Sequence, residues 1–152
     1  MQHLKLQWED KLSRIVGIDL SCSQDGTVLS QSRFAHQVVD QFEKKANMTL
    51  LRNKTMLPEY KLETSTNELI EKKWYQSIIG LLNYLALGTR PDISFAVNYL
   101  AQYLISPQHQ HWQELHHLLG YIKHSVNQTL NYRFKDSSLD MWTDAGWGGE
   151  FQ

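Results

Sequence analysis

Between Trp74 and Gln113 the chain carries only two charged side chains, Arg90 and Asp92, in forty residues, although 20% of all its residues are charged. A stretch so poor in charge cannot be an ordinary solvated surface. It is also too interrupted to cross a bilayer, because Gly80, Asn83, Gly88, Arg90 and Pro91 break every apolar run short of the ~18 residues a span needs. Two buried helices joined by a tight turn satisfy both constraints.

At ~100° per residue, Trp74, Tyr75, Ile78, Ile79, Leu81, Leu82, Leu85 and Ala86 fall on one wide arc of the first helix. Gln76, Gly80, Asn83 and Tyr84 fall on the other, which is polar but uncharged. A glycine at the centre of such a face lets another backbone come close. The visitor is either a further helix of the same fold or a bound ligand.

Local signals then order the remaining elements. Gly88 ends the first helix, and Thr89 is placed to N-cap the second, with Asp92 completing a T-x-x-D capping box and Pro91 tolerated in the first turn. Ile93, Ala96, Val97, Leu100 and Leu104 form an apolar stripe flanked by Tyr99 and Tyr103, and Pro107 stops it. A third helix is predicted from His109 to His124, with Trp112, Leu115, Leu119 and Ile122 inward and Gln113, Glu114, His117 and Lys123 outward. On either side the period changes to two. Leu4 to Trp8, Ile15 to Ser21 and Thr27 to Gln31 read as short strands, the last two joined through Gln24, Asp25 and Gly26, and a helix bearing Phe34, Val38, Val39 and Phe42 follows. Thr129 to Phe134 and Leu139 to Asp144 read as a closing hairpin about a Lys135 to Ser138 turn. From Ala46 to Asn67 no period is found, and an extended strap held by Met56, Leu57 and Leu62 is expected there. The fold class is α+β: short N-terminal antiparallel strands, a central bundle of three to four helices and a C-terminal β-hairpin.

A length of 152 residues suits one domain or a large part of one. The formal charge of −1 gives no bulk electrostatic case for nucleic acid, so any such contact must be local. A single cysteine, Cys22, rules out an internal disulfide framework and fits a reducing compartment. His3, Lys5, Glu9, Asp10 and Lys11 interrupt any N-terminal signal segment, so an intracellular, cytoplasmic protein that is neither secreted nor membrane-bound is expected. His109, His111, His116, His117 and His124 crowd one helix without the i, i+4 pair plus third ligand of a helical metal site, and no metal is expected on them. The adjacent carboxylates Glu9 and Asp10 read as a solvated pair, and no phosphate-binding glycine loop, Ser-His-Asp set or Cys-His pair is present.

Five blocks in series, VGIDLSCSQDGTVLSQSRF (Val16 to Phe34), YQSIIGLLNYLALGTRPDISFAVNYLAQ (Tyr75 to Gln102), HW (His111 and Trp112), GYIKHS (Gly120 to Ser125) and LDMWTDAGWGGEF (Leu139 to Phe151), are spread over nearly the whole chain. In order and spacing they resemble the C-terminal part of the reverse transcriptase of copia-type long-terminal-repeat retrotransposons, running into the first strand of its ribonuclease H domain. The resemblance implies palm-end, primer-grip-like strands over 1–31, a thumb- and connection-like helical region over 32–125, and a connection strand with the start of ribonuclease H over 126–152. It implies that Val16, Gly17 and Ile18 lie in the first strand of a hairpin holding the primer end. Gln76, Gly80, Asn83 and Tyr84 would line the minor groove of a template-primer duplex, with Tyr84 replacing an aromatic found in the retroviral enzymes.

The family's Y-x-D-D motif is absent, and Asp144 alone corresponds to a ribonuclease H carboxylate. Two-metal phosphoryl chemistry needs several converging carboxylates, so this chain alone is expected to be non-enzymatic, needing no cofactor. The complete parent enzyme would use Mg²⁺, with Asp144 among its ligands. The implied partners are an RNA:DNA or DNA duplex, bound weakly, the rest of the Pol polyprotein, and a second copy through the C-terminal strand edge. The other reading is a non-enzymatic interaction protein or relic derived from such an element.

Overall fold

The period-two segments at the two ends of the sequence meet in one sheet, and the helices lie between them. A computed structural model describes residues 12–54 and 71–133. Over these residues the order is β1 (Arg14–Ile15), β2 (Ile18–Cys22), β3 (Gly26–Ser30), α1 (Ser32–Ala46), α2 (Lys72–Gly88), a 3₁₀ turn (Pro91–Ile93), α3 (Ser94–Ala101), α4 (His109–His124) and β4 (Leu130–Arg133). The architecture is α+β, with a four-stranded antiparallel sheet in the order β1-β2-β3-β4.

The expected strand from Ile15 to Ser21 is divided. Val16 and Gly17 have φ of 47° and 77°, and Ile15 pairs with Ile18 across them. Positive φ at both central residues of a two-residue loop is the type I′ requirement, whose twist matches the flanking strands. Val16 and Gly17 therefore form a turn, and Ile18 alone of the three lies in a strand. The β2–β3 connection falls where Gln24, Asp25 and Gly26 place it, with the Ser23 N–H donating to the Gly26 carbonyl at 2.8 Å. β4 pairs with β3 from Leu29↔Leu130 to Gly26↔Arg133. A Cβ on Gly26 would run into the Tyr132 carbonyl, so glycine is required for that pairing. Leu4 to Trp8, Leu139 to Asp144, Glu9, Asp10, Met56, Leu57 and Leu62 lie outside the described residues.

The helices bury the stripes that their periodicity marks. α1 buries Ala35, Val38, Val39 and Phe42 and ends on Asn47 in the left-handed conformation. The Met48 N–H reaches the Glu43 carbonyl and the Asn47 N–H that of Lys44, a Schellman closure. α2 buries Tyr75, Ile78, Ile79, Leu82, Leu85 and Ala86, and α4 contributes Leu115, Leu118, Leu119 and Ile122. Phe42, Trp74, Trp112 and His116 meet as an aromatic hub joining α1, α2 and α4, with ring centroids 4.7–5.7 Å apart in the five pairs in contact. Of the strap, Leu50 is buried, and the backbone at Asn53 bonds the Gly120 carbonyl at 3.1 Å. Gly120 leaves the room this crossing needs, since its Cβ would press on the Leu51 carbonyl and the Asn53 amide.

Two helix boundaries differ from expectation. Thr89 does not N-cap the second helix: it is the C-cap of α2, and its hydroxyl donates to Gln31 Oε1 at 3.0 Å. Asp92 is held by Arg90 instead, and the chain makes a 3₁₀ turn, with Pro91 at its start, before α3 begins at Ser94. α3 ends at Ala101, well before Pro107, because the backbone tightens into three i→i−3 bonds from Gln102, Tyr103 and Leu104. His111 anchors the start of α4, its Nδ1 accepting the Gln108 N–H at 3.0 Å.

Burial on the hub sets a pH dependence. Burial, helped by nearby His109, pulls the His116 pKa from 6.5 to about 4, and burial also lowers that of His111. Between pH 6.5 and 4 the unfolded chain takes up a proton on His116 that the fold refuses, so stability falls as pH is lowered through that window. The loss should be about 1–2 kcal/mol, allowing for solvent at the partly exposed ring. In thermal melts from pH 7 to 4.5, His116→Phe should flatten the decline; an unaltered slope would assign it to other groups.

Candidate nucleic-acid interface

α2 places the four residues singled out on its uncharged arc, and the fold leaves Gly80 and Asn83 at its centre open. Gly80 is exposed, and a Cβ added there would meet nothing within 4 Å. Asn83 is exposed beside it. Among the described residues no other helix packs on Gly80. Gln76 is half-buried and donates from Nε2 to the Leu104 carbonyl at 2.8 Å, which pins the segment after α3 to the edge of the arc. Lys72 and Lys73, both exposed, stand one turn before Gln76.

Tyr84 departs from its neighbours. Its hydroxyl donates to the Val16 carbonyl, 68 residues away in sequence, and its ring meets Phe34 edge-on at 4.9 Å. A Cβ on Gly17 would lie 2.7 Å from Tyr84 Oη. The structure thus joins the β1–β2 turn to α2 through Tyr84 and brings Val16, Gly17, Asn83 and Gly80 into one neighbourhood. Ile18 lies one residue on, half-buried in β2.

The sharp corner after α2 is fixed by Arg90, whose importance the sequence reading missed. Its guanidinium is only 3% exposed and donates to Asp92 Oδ1 at 2.9 Å, Asp92 Oδ2 at 2.8 Å, the Ser125 carbonyl at 3.1 Å and Ser125 Oγ at 2.8 Å. The Tyr121 hydroxyl closes the network on Asp92 at 3.0 Å. Burial pushes the Asp92 carboxyl upward, but the Arg90 hydrogen bonds and charge outweigh it and hold its pKa below the usual carboxylate range. A lone arginine in an apolar stretch with an aspartate two residues on was the available signal, since a buried charge must be paired. Also missed were three large exposed apolar side chains, Leu87, Phe95 and Ile105, each more than 70% exposed.

Asp144 lies outside the described residues. Among the described residues no group of three or more His, Cys, Asp or Glu could hold a metal ion, and no helix is long and apolar enough to cross a membrane.

Sequence comparison gives this geometry a lineage. The chain is of the class encoded by retroelements: it is 32% identical over 153 aligned residues, 98% of its length, to the retrovirus-related Pol polyprotein from transposon RE1 of Arabidopsis thaliana. It is 29% identical over 98% of its length to that of transposon RE2 of the same plant. An uncharacterized mitochondrial protein of Arabidopsis thaliana is 32% identical over 88% of the chain, which covers 55% of that shorter relative. The chain belongs with the copia-type retrotransposon Pol polyproteins and corresponds to a segment of one, spanning about a tenth of the length of the two Pol relatives. No family model and no solved structure matches it.

Proposed function

We propose that this segment grips a template-primer duplex, with the open arc of α2 against the minor groove and the Val16–Gly17 turn near the primer end. One observation carries the reading. Gly80 is mid-helix with open space before it, where glycine costs roughly 0.5–1 kcal/mol relative to alanine. No packing contact within the described residues requires it. A glycine kept at a cost on a bare surface suits close approach of a ligand, and the uncharged amides of Gln76 and Asn83 suit the degenerate hydrogen-bonding pattern of a minor groove. From Gln76 to Leu87 the arc is ~16 Å long at ~1.5 Å per residue, the rise of about five base pairs at ~3.4 Å each.

In this reading the chain supplies grip and no chemistry. Polymerisation, ribonuclease H cleavage and the Mg²⁺ they use belong to other parts of a Pol polyprotein. A Gly80→Leu variant separates binding from folding, because the two should move oppositely. Leucine should raise helix stability by up to about 1 kcal/mol while removing duplex binding in a fluorescence anisotropy titration. With Lys72 and Lys73 as the nearby cations, wild-type binding should show a salt slope near −2 on a log–log plot, about 0.9 per neutralised phosphate. Undiminished binding by a folded Gly80→Leu chain would overturn the proposal.

Leu87, Phe95 and Ile105 favour a second reading, a protein-contact surface on the same uncharged stretch. Loss of partner capture in a Phe95→Lys chain that still binds duplex would support it.

A further inference from the structure

We infer that Tyr84 is a positioning residue: through its hydroxyl it holds the strained Val16–Gly17 turn at a fixed place beside the open face of α2, so that turn and helix engage one strand end as a unit. The inference rests on the duplex-gripping reading and adds a division of labour within it.

Three observations converge on the turn. Val16 is β-branched yet sits at φ 47°, a conformation in which such side chains are outliers. Asparagine, aspartate or glycine would occupy that turn position at less cost. Strain of this kind, of order 1–3 kcal/mol, persists only where the surroundings over-determine it. Those surroundings are identifiable: the Tyr84 hydroxyl donates to the Val16 carbonyl, and Tyr84 is buttressed by the edge of Phe34. Gly17 is doubly required, by its φ of 77° and by the nearness of Tyr84 Oη to any Cβ placed there.

What the strain achieves is presentation. Val16 is 78% exposed, at the tip of a hairpin where a polar residue would be cheaper. An exposed valine offers nothing to a phosphate, but it complements the apolar face of a terminal sugar and base, which only a strand end uncovers. Gly80 lies four residues before Tyr84, ~6 Å along the helix axis. The strut therefore fixes how far the end-contacting tip stands from the groove-contacting face. The Tyr84 phenol, spent on Val16, is not free to donate to the duplex.

The test compares two labelled duplexes of equal length with the intact chain, one blunt and one with a recessed 3′ end. Wild type should prefer the recessed end. Tyr84→Phe, which removes only the hydroxyl, should cut the preference by about threefold to tenfold, the worth of one neutral hydrogen bond. Val16→Asn, which relaxes the turn and removes the apolar tip, should do likewise. Hydrogen–deuterium exchange should show faster exchange in residues 14–22 of Tyr84→Phe with the α2 amides unaltered, showing that the fold persists. An equal loss on both duplexes in Tyr84→Phe would mean that Tyr84 touches the duplex itself and would overturn the inference, as would a preference retained in both variants. Failure of wild type to bind either duplex would instead bring down the gripping reading.

Discussion

Arg90→Ala is expected to destabilise the chain by about 3–5 kcal/mol, the cost of breaking a buried ion pair from one side. Against a total of roughly 5–15 kcal/mol for a domain of this kind, that loss leaves little fold at 37 °C. Alanine removes donors to Asp92, the Ser125 carbonyl and Ser125 Oγ together, uncoupling the corner between α2 and α3 from the end of α4. Asp92→Asn should cost less, about 1–2 kcal/mol, because that side chain is 32% exposed and water can replace part of what it loses. Urea denaturation of both variants and the double variant gives the coupling.

The pH profile adds a signature that simple loss of packing lacks. In wild type the Asp92 pKa is lowered despite its burial, so its contribution is present above the unfolded value and lost as pH falls through the folded one. Without Arg90 the burial is opposed only by the Tyr121 hydroxyl and a backbone hydrogen bond, and the folded pKa moves up. That group's contribution then declines as pH rises through its ordinary range. A wild-type-like acid profile in Arg90→Ala would show that Asp92 draws its stabilisation from elsewhere.

How much of this was legible in the sequence depends on the range over which each feature is decided. α4 runs from His109 to His124 as its period predicts, and the Ile93, Ala96, Val97 and Leu100 stripe is buried, because amphipathic helices are specified by residues a turn apart. The uncharged arc of α2 was equally visible, since it needs only angles. What escaped was decided by residues far apart in the chain. Thr89 has good N-cap chemistry, but Gln31, 58 residues earlier, takes its hydroxyl. The pairing of β3 with β4 closes across the whole helical region, and the only local hint was Gly26, whose bare Cα accepts the Tyr132 carbonyl. The Val16–Gly17 turn was hidden by β-branched alternation on both sides. A valine in a left-handed turn goes against its own preference, and nothing in residues 15–21 points to Tyr84 as its support.

Phe42→Ala should have the other large effect, about 3–5 kcal/mol, as expected for removing a buried aromatic ring. Phe42 is 2% exposed, stacks on Trp74 at 5.2 Å and 22°, and meets Trp112 at 5.7 Å and the edge of His116 at 5.0 Å. It is thus the one side chain through which α1 grips both α2 and α4 in the aromatic hub. Phe42→Leu retains most of the apolar burial but forfeits the ring contacts, each worth about 0.5–1.5 kcal/mol beyond area, so it should fall between wild type and alanine. Trp74 and Trp112 report the change directly, and their fluorescence should shift as water reaches the hub. The loss should also reach the interface, because α1 carries Phe34 against Tyr84, and a loosened α1 frees the hairpin turn. A Phe42→Ala cost below about 1 kcal/mol, the usual worth of a modest surface change, would mean that α1 is held mainly by Glu43. That carboxylate accepts from Lys123 at 2.7 Å and from the Leu50 N–H at 2.6 Å, and Glu43→Gln would then be the variant that releases the helix.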